Sequence, residues 1–178
     1  MLIDADGSLA LADFGISKVI QPRETSKSIC GTLEYMAPEV FSKSGHSLPV
    51  DWWSLGILTY QMLFGQTPYF STKKTKEQLK SDIKSQKFHF SDSKHQLSDQ
   101  CKDFIEKLLK HSPNDRLGSK DGVKEVLQHP WLRDLDQGMY LRKEVEHPIK
   151  PRVSNNTDDL QNFKKIVYID RIEESIMP

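Results

Sequence analysis

The chain has 178 residues, enough for one ordinary domain with an extension, and its 25 basic and 25 acidic residues cancel to a formal net charge of zero. This balance gives no overall field that would attract nucleic acid or an anionic membrane. Cys30 and Cys101 lie far apart without metal-binding spacing, which argues against a disulfide framework and a zinc site. The most apolar stretch, 55–64, is too short to span a bilayer. We therefore expect an intracellular protein without a membrane span. The cytoplasm is the expected location, and the nucleus is the alternative.

The first element predicted along the chain is a β-hairpin. Short apolar segments at 2–4 and 9–11 flank an Asp6-Gly7 pair, and such a pair supplies the positive φ that a tight turn requires. From Ser17 to Ser47 the sequence is polar and has no sustained hydrophobic period, which predicts a long loop. Long loops inside compact domains are usually functional.

Helices are predicted for most of the remaining chain. Pro49 stands where a helix can start, and the apolar residues up to Phe64 leave little polar surface on any face, so this helix should be central and buried. Gly65 is a natural stop for it. Three further helices are predicted from apolar periodicity, the second with Ser98 as its N-cap; they lie near 78–83, near 104–109 and at 123–127. Beyond Leu135 the apolar density falls, which predicts an extended tail.

Five motifs follow one another in a fixed order along the chain. They are Asp13-Phe14-Gly15, the run from Gly31 to Glu39 that ends in Ala-Pro-Glu, Asp51-Trp52-Trp53, Arg116-Leu117-Gly118 and His129-Pro130-Trp131. Taken alone, the first motif also fits the end of an ordinary hairpin, where Asp caps the following turn and Gly allows the backbone to reverse. The whole series resembles the signatures of the C-terminal lobe of protein kinases, and its Asp-Trp-Trp and Arg-Leu-Gly forms resemble the AGC group of serine/threonine kinases.

The resemblance covers nearly the whole chain and implies a mainly α kinase C-lobe with a short N-terminal hairpin. It places the lobe at 1–132, the activation segment at about 13–39, and an AGC-like tail at 133–178. The tail departs from the family, because the chain has Phe163-Lys164-Lys165-Ile166-Val167 where the family has Phe-Asp-x-x-Phe. A plain linker and a docking element therefore both stay open for this tail.

The resemblance also implies an ATP site with Mg²⁺. Asp13 would hold the metal against the nucleotide phosphates, and Gly15 would let the backbone pivot beside it. Thr32 would support catalysis by hydrogen bonding to a catalytic aspartate and lysine, as in serine/threonine kinases. Those two partners belong to a His-Arg-Asp loop that the 178 residues do not include.

Three further residues have structural roles in the family. Glu39 and Arg116 would form a buried ion pair that ties the end of the activation segment to the helical core. Asp51 would accept hydrogen bonds from the catalytic loop; favourable interaction with the helix dipole explains an acid at this position equally well.

Regulation and substrate recognition are implied at three more positions. Ser28 matches the activation-loop phosphorylation site, the target of an upstream activating kinase, although an ordinary loop serine beside Lys27 is an open alternative. Thr25 and Ser26 are weaker candidates, and Cys30 is expected to be a packing residue. Glu34 and Gln61 match positions that contact the protein substrate. The family glutamate is replaced by Gln61, which puts a preference for basic substrates in doubt.

The leading hypothesis is part of a serine/threonine kinase that transfers the γ-phosphate of ATP to protein hydroxyls. The 178 residues also lack a Gly-rich loop, the nucleotide-pairing lysine and the glutamate that holds it. We therefore expect the chain to be inactive alone. A non-catalytic, pseudokinase-like interaction module is the alternative, and an unrelated helical domain would require every motif to be coincidental.

Overall fold

The computed structural model describes residues 1–21, 24–86, 88–90, 97–149 and 151. The described part of the chain divides into two compact units, one formed by Met1–Gly15 with the described residues from Asp136 on, and the other by Ile16–Leu135. No helix within the described ranges is both long and apolar enough to cross a membrane.

The first unit contains the predicted hairpin. Strands β1 (Leu2–Ile3) and β2 (Leu9–Ala10) pair antiparallel, with Leu2 opposite Ala10. The turn between them closes on Gly7, which has φ +93° and donates its N–H to the Asp4 carbonyl at 2.9 Å. A Cβ on Gly7 would lie 2.6 Å from His147 Cβ, so only glycine allows the chain near position 147 to approach this closely.

The described residues of the second unit form four α-helices and the long loop. The helices are α1 (Pro49–Phe64), α2 (Lys76–Ser85), α3 (Asp99–Leu108) and α4 (Val123–Leu127). The loop from residue 16 to 48 is interrupted by short 3-10 turns at Leu33–Tyr35 and Pro38–Phe41 and by a β-bridge between Ser26 and His46. The predicted mainly α fold with an N-terminal hairpin is thus confirmed.

The core lies between α1 and α3. Gly56 on α1 permits this contact, since a Cβ there would lie 2.8 Å from a methyl group of Leu109. Trp53, Ile57 and Ile105 are fully buried at this contact. Asp51 and Met62, the latter 66% exposed, are the exposed residues of α1, and its other residues are buried or partly buried. The helix is thus largely buried, and its bounds at Pro49 and Phe64 agree with the sequence.

Helix ends follow local side-chain chemistry. The Ser98 hydroxyl accepts the Cys101 N–H at 3.2 Å, which makes Ser98 the N-cap of α3 as predicted. Thr75 and Gln78 form a reciprocal capping box at the start of α2, so this helix begins earlier than its apolar residues indicated. A further short helix, α5 (Gln137–Leu141), begins at its N-cap Asp136, in a part of the first unit that was expected to be extended.

Candidate functional site

The end of the loop is fixed to the helical core by one buried arginine. Arg116 is 1% exposed and donates to both carboxylate oxygens of Glu39, at 2.7 Å from Nη1 and 3.0 Å from Nη2. The same guanidinium donates to the carbonyls of Pro49 at 2.7 Å and Lys110 at 3.2 Å, and its Cζ lies 5.2 Å from the centre of the Trp53 ring. The structure thus brings Glu39 and Arg116 together, in the two-pronged geometry that favours arginine over lysine.

The turn just before Glu39 contacts α1 through polar groups. Ser54 on α1 donates its hydroxyl to the Tyr35 carbonyl at 3.0 Å, and Tyr35 donates its own hydroxyl to the side-chain oxygen of Gln61. The oxygen of Gln61 is therefore already engaged by Tyr35. The amide of Gln61 is neutral and brings no charge to this contact.

Asp13 lies in the first unit and is exposed at its carboxylate. Its backbone is left-handed, with φ +69°, and its Oδ1 accepts the Gly15 N–H at 3.2 Å. Mg²⁺ is commonly held by one or two carboxylates together with nucleotide phosphates and water. A lone, accessible carboxylate fits one part of such a site, and the described residues contain no cluster of three or more acidic, histidine or cysteine side chains that could hold a metal without further ligands.

Thr32 and Ser28 are both exposed in the second unit. Thr32 occupies the N-cap position of the Leu33–Tyr35 turn, yet its hydroxyl makes no capping hydrogen bond there. Ser28 donates its backbone N–H to the Ser26 hydroxyl at 3.3 Å. Ser26 itself is only 6% exposed, so it is a poorer target for modification than Ser28.

Asp51 lies in the first turn of α1 and is exposed. Protein atoms crowding the carboxyl raise the pKa of Asp51 above its ordinary value, and the nearby His46 opposes this shift. Its carboxylate makes no hydrogen bond with any residue that the structure describes. A group in this state is suited to receive donors from another segment.

Two residues differ from the sequence interpretation. Cys30 is exposed, so the expectation of a packing residue was wrong. Trp53 was assigned only to the core, whereas its ring also covers the Arg116 guanidinium. The Asp-Trp-Trp motif together with the later arginine could have indicated this contact, because arginine stacks favourably on an aromatic face.

Comparison with known proteins gives the family. The sequence pattern described as "Protein kinase domain" matches residues 1–132. The chain belongs to the protein kinase domain family.

Several curated kinases align with nearly the whole chain. "Protein kinase 2" of Dictyostelium discoideum is 39% identical over 161 residues, 89% of this chain and 32% of its own length. "Serine/threonine-protein kinase AtPK1/AtPK6" of Arabidopsis thaliana is 38% identical over 168 residues, 93% of this chain and 34% of its own length. "Ribosomal protein S6 kinase alpha-2" of Homo sapiens is 38% identical over 164 residues, 89% of this chain and 21% of its own length.

These relatives confirm the resemblance to AGC-type serine/threonine kinases. The kinase chain spans about a third or less of the length of each of these three relatives. The whole-protein activity implied by their names is therefore a proposal for this chain.

Proposed function

We propose that this chain forms the C-terminal lobe of a protein serine/threonine kinase that transfers the γ-phosphate of ATP to protein hydroxyls. This proposal is supported above all by the Glu39 contact with Arg116, at 2.7 and 3.0 Å, which fixes the end of the loop to the helical core as the family resemblance implies. In this proposal residues 1–132 are the lobe, the activation segment runs from about 13 to 39, and residues 133–178 are the tail.

Each site residue has a defined part in this proposal. Asp13 is one ligand of the Mg²⁺ that neutralises the nucleotide phosphates, and Gly15 holds the Asp13 carboxylate in place through its N–H. Thr32 positions the catalytic aspartate of the intact enzyme. Glu34 and Gln61 contact the protein substrate, and Asp51 receives backbone donors from the catalytic loop.

Control of the kinase is proposed to act at Ser28. An upstream kinase would add a phosphate there, and the phosphate would order the segment through cationic partners. The exposure of Ser28 and the burial of Ser26 support this choice. Because the donor is ATP, an intracellular location, cytoplasmic or nuclear, accompanies this function.

The 178-residue polypeptide by itself is proposed not to catalyse the transfer. Phosphoryl transfer depends on several groups acting together, and a Gly-rich loop, its lysine and the catalytic aspartate are not among these residues. The purified chain, incubated with Mg²⁺, radiolabelled ATP and a mixed serine/threonine peptide library, should give no incorporation above a no-enzyme control. Transfer that Asp13→Asn abolishes would contradict this proposal.

The kinase function is tested with the complete protein that the reading frame of these residues encodes. Transcript sequence upstream of position 1 shows whether an in-frame His-Arg-Asp loop exists, and the complete product is then assayed for peptide phosphorylation. Asp13→Asn should lower the rate by about a hundredfold or more, while Asp134→Asn, at a side chain that is 94% exposed, should leave it unchanged. Equal rates for the two variants, or the absence of phosphorylation by the complete product, would refute the kinase proposal.

A non-catalytic interaction module is the second candidate. It is favoured by an apolar concavity beside the activation segment, which needs no nucleotide to bind a partner. A complete product that binds protein partners and lacks transferase activity would support this candidate over the first.

A further inference from the structure

The hairpin of the first unit is short and gains little stability from its own strands. Strands β1 and β2 have two residues each, and all four residues are exposed. A two-stranded hairpin of this kind is only marginally stable in water. The chain passes from the end of β2 at Ala10 to Asp13 within three residues. Contacts that fix the hairpin therefore also fix the direction from which the chain reaches Asp13.

A second segment of the first unit lies against the hairpin turn. We call this segment, residues 143–149, the strap. A Cβ on Gly7 would lie 2.6 Å from His147 Cβ and 2.6 Å from the Ile149 carbonyl oxygen, so the strap is in direct contact with the turn. Ser8 Oγ and His147 Nε2 are 3.3 Å apart, within hydrogen-bond distance. The turn thus has a packed face that a residue without a side chain allows.

The first residue of the strap adds an ionic contact. Lys143 Nζ lies 3.1 Å from Asp6 Oδ2 and 3.6 Å from Asp4 Oδ2. The Ser8 N–H and then the Lys143 ammonium lower the pKa of Asp6 to about 2, so this carboxylate is charged at neutral pH. All three charged side chains are about half exposed. Such an ion pair is weak by itself, and it acts here together with the packing at Gly7.

The backbone of Lys143 indicates why a lysine stands at this position. Lys143 has φ +57° and follows the end of α5, where the Glu144 N–H donates to the Met139 carbonyl at 2.9 Å. Glycine adopts this left-handed conformation without strain, whereas a residue with a Cβ does not. The strain at Lys143 is offset by contact with two carboxylates of the turn. The end of α5 therefore directs the ammonium at the hairpin.

We infer that the strap is a positioning element for the Asp13 carboxylate, in which Lys143 and His147 hold the hairpin turn that precedes Asp13. Both residues act through the hairpin and do not touch metal or nucleotide. A loosened hairpin widens the range of positions open to the exposed carboxylate. The consequence for metal binding rests on the proposed function, whereas the effect on the hairpin does not.

The Gly15 N–H reports the position of the Asp13 carboxylate without any ligand, because it donates to Asp13 Oδ1. Its exchange with water is measured by NMR in the 178-residue chain, together with that of the Gly7 N–H, which donates to the Asp4 carbonyl. Lys143→Glu should speed both exchanges by at least about threefold, since the ion pair becomes a repulsion. Lys43→Glu, at an exposed lysine of the second unit, is the matched control and should change neither.

Two further variants separate the charge from the packing. Lys143→Arg keeps the cation and should leave both exchange rates within about twofold of the parent. His147→Ala removes the ring beside Ser8 and should speed the Gly7 and Gly15 exchanges by about twofold. His111→Ala, at an exposed histidine of the second unit, is its control and should change neither.

The complete protein gives a readout that a merely structural role would not move. The Mg²⁺ concentration at half the maximal rate of peptide phosphorylation is measured for the parent, Lys143→Glu and Lys143→Arg. Lys143→Glu should raise this concentration by at least about threefold and leave the KM of the peptide unchanged, because the displaced group is a metal ligand. Lys143→Arg should match the parent.

The inference is overturned if the folded Lys143→Glu chain keeps the parent exchange rate at Gly15, or if Lys143→Arg speeds exchange as much as Lys143→Glu does. An unchanged Mg²⁺ requirement of Lys143→Glu in an active complete protein would also overturn it. Circular dichroism checks folding, and Lys143→Gln replaces the charge-reversed variant if that variant is unfolded. An inactive complete protein whose Gly15 exchange responds as expected would refute the kinase proposal and leave the strap in place.

Discussion

The two ends of the activation segment are held in opposite ways. At its end, Glu39 meets a buried guanidinium that makes four hydrogen bonds and also lies over the Trp53 ring. At its start, the Asp13 side chain is exposed, and its carboxylate accepts a hydrogen bond from the N–H of Gly15, two residues away. The first arrangement is complete within these residues, whereas the second leaves the carboxylate accessible to an external ligand. In the proposed kinase, fold stability and metal binding would thus depend on different ends of one segment.

The largest expected effect follows loss of the buried anchor. Arg116→Ala leaves the Glu39 carboxylate without its counter-ion in a mostly buried position, which should lower the free energy of unfolding by about 3 to 5 kcal/mol. Urea denaturation followed by circular dichroism measures this loss. Arg133→Ala, at a side chain that is 66% exposed, is the control and should change stability very little. Similar losses for the two variants would contradict a special role for the anchor.

A second variant probes the turn that follows Arg116. Gly118 has φ +92°, and a Cβ there would lie 2.6 Å from the Trp52 ring. Gly118→Ala should therefore cost about 2 to 3 kcal/mol through strain and steric overlap. Gly65→Ala shares the positive φ, at +77° in the left-handed helical region, but has no atom within 4 Å of the new Cβ. It should cost about 1 kcal/mol, and a larger loss at Gly65 than at Gly118 would show that overlap with Trp52 is unimportant.

A half-exposed ion pair should contribute less than the buried one. The Lys107 ammonium and then His129 hold the pKa of Asp103 below its ordinary value of 3.8. Because this pKa is depressed in the folded state, the stabilisation is present above the ordinary value and is lost as pH falls through the folded value. Asp103→Asn should thus destabilise the chain at about pH 6 and have a smaller effect at about pH 2.5. Urea midpoints at both pH values measure this, and a pH-independent difference would contradict it.

The smallest effect is expected at the open end. Asp13→Asn removes a charge whose side chain is exposed, so the free energy of unfolding should change by less than about 0.5 kcal/mol. Differential scanning calorimetry of Asp13→Asn and of Arg116→Ala measures the two changes in stability under the same conditions. A loss above about 1 kcal/mol would mean that Asp13 also stabilises the fold, which would weaken the contrast between the two ends.

The sequence was most informative where local chemistry decides the structure. Pro49 and Gly65 fixed the bounds of α1, and Asp6-Gly7 located the hairpin, because proline and glycine restrict the backbone directly. The pairing of Glu39 with Arg116 came from family resemblance, since 77 positions separate the two residues and no periodicity links them. The contact of Arg116 with the Pro49 carbonyl could not be anticipated, because it depends on three-dimensional packing.

Errors arose where exposure depends on distant parts of the chain. Cys30 was expected inside and Met62 was expected to be covered, yet both are exposed. Hydrophobicity indicates that a residue can be buried but not which surface will cover it. The lysines near the start of α2 line an apolar pocket, and this place emerges only when α2 lies beside the loop. The tail beyond residue 151 lies outside the described residues. The predicted boundary between lobe and tail stays a prediction.

Arg116 has little capacity left to bind a phosphoryl group, because four of its five N–H donors are already hydrogen bonded. Three nitrogens of its guanidinium are already engaged by Glu39, Pro49 and Lys110, and the side chain is almost completely buried. A phosphoryl group on Ser28 would therefore have to recruit a different cation. The proposed phosphorylation site at Ser28 and the ion pair at Glu39 would therefore depend on different cations, so loss of the first would leave the second intact.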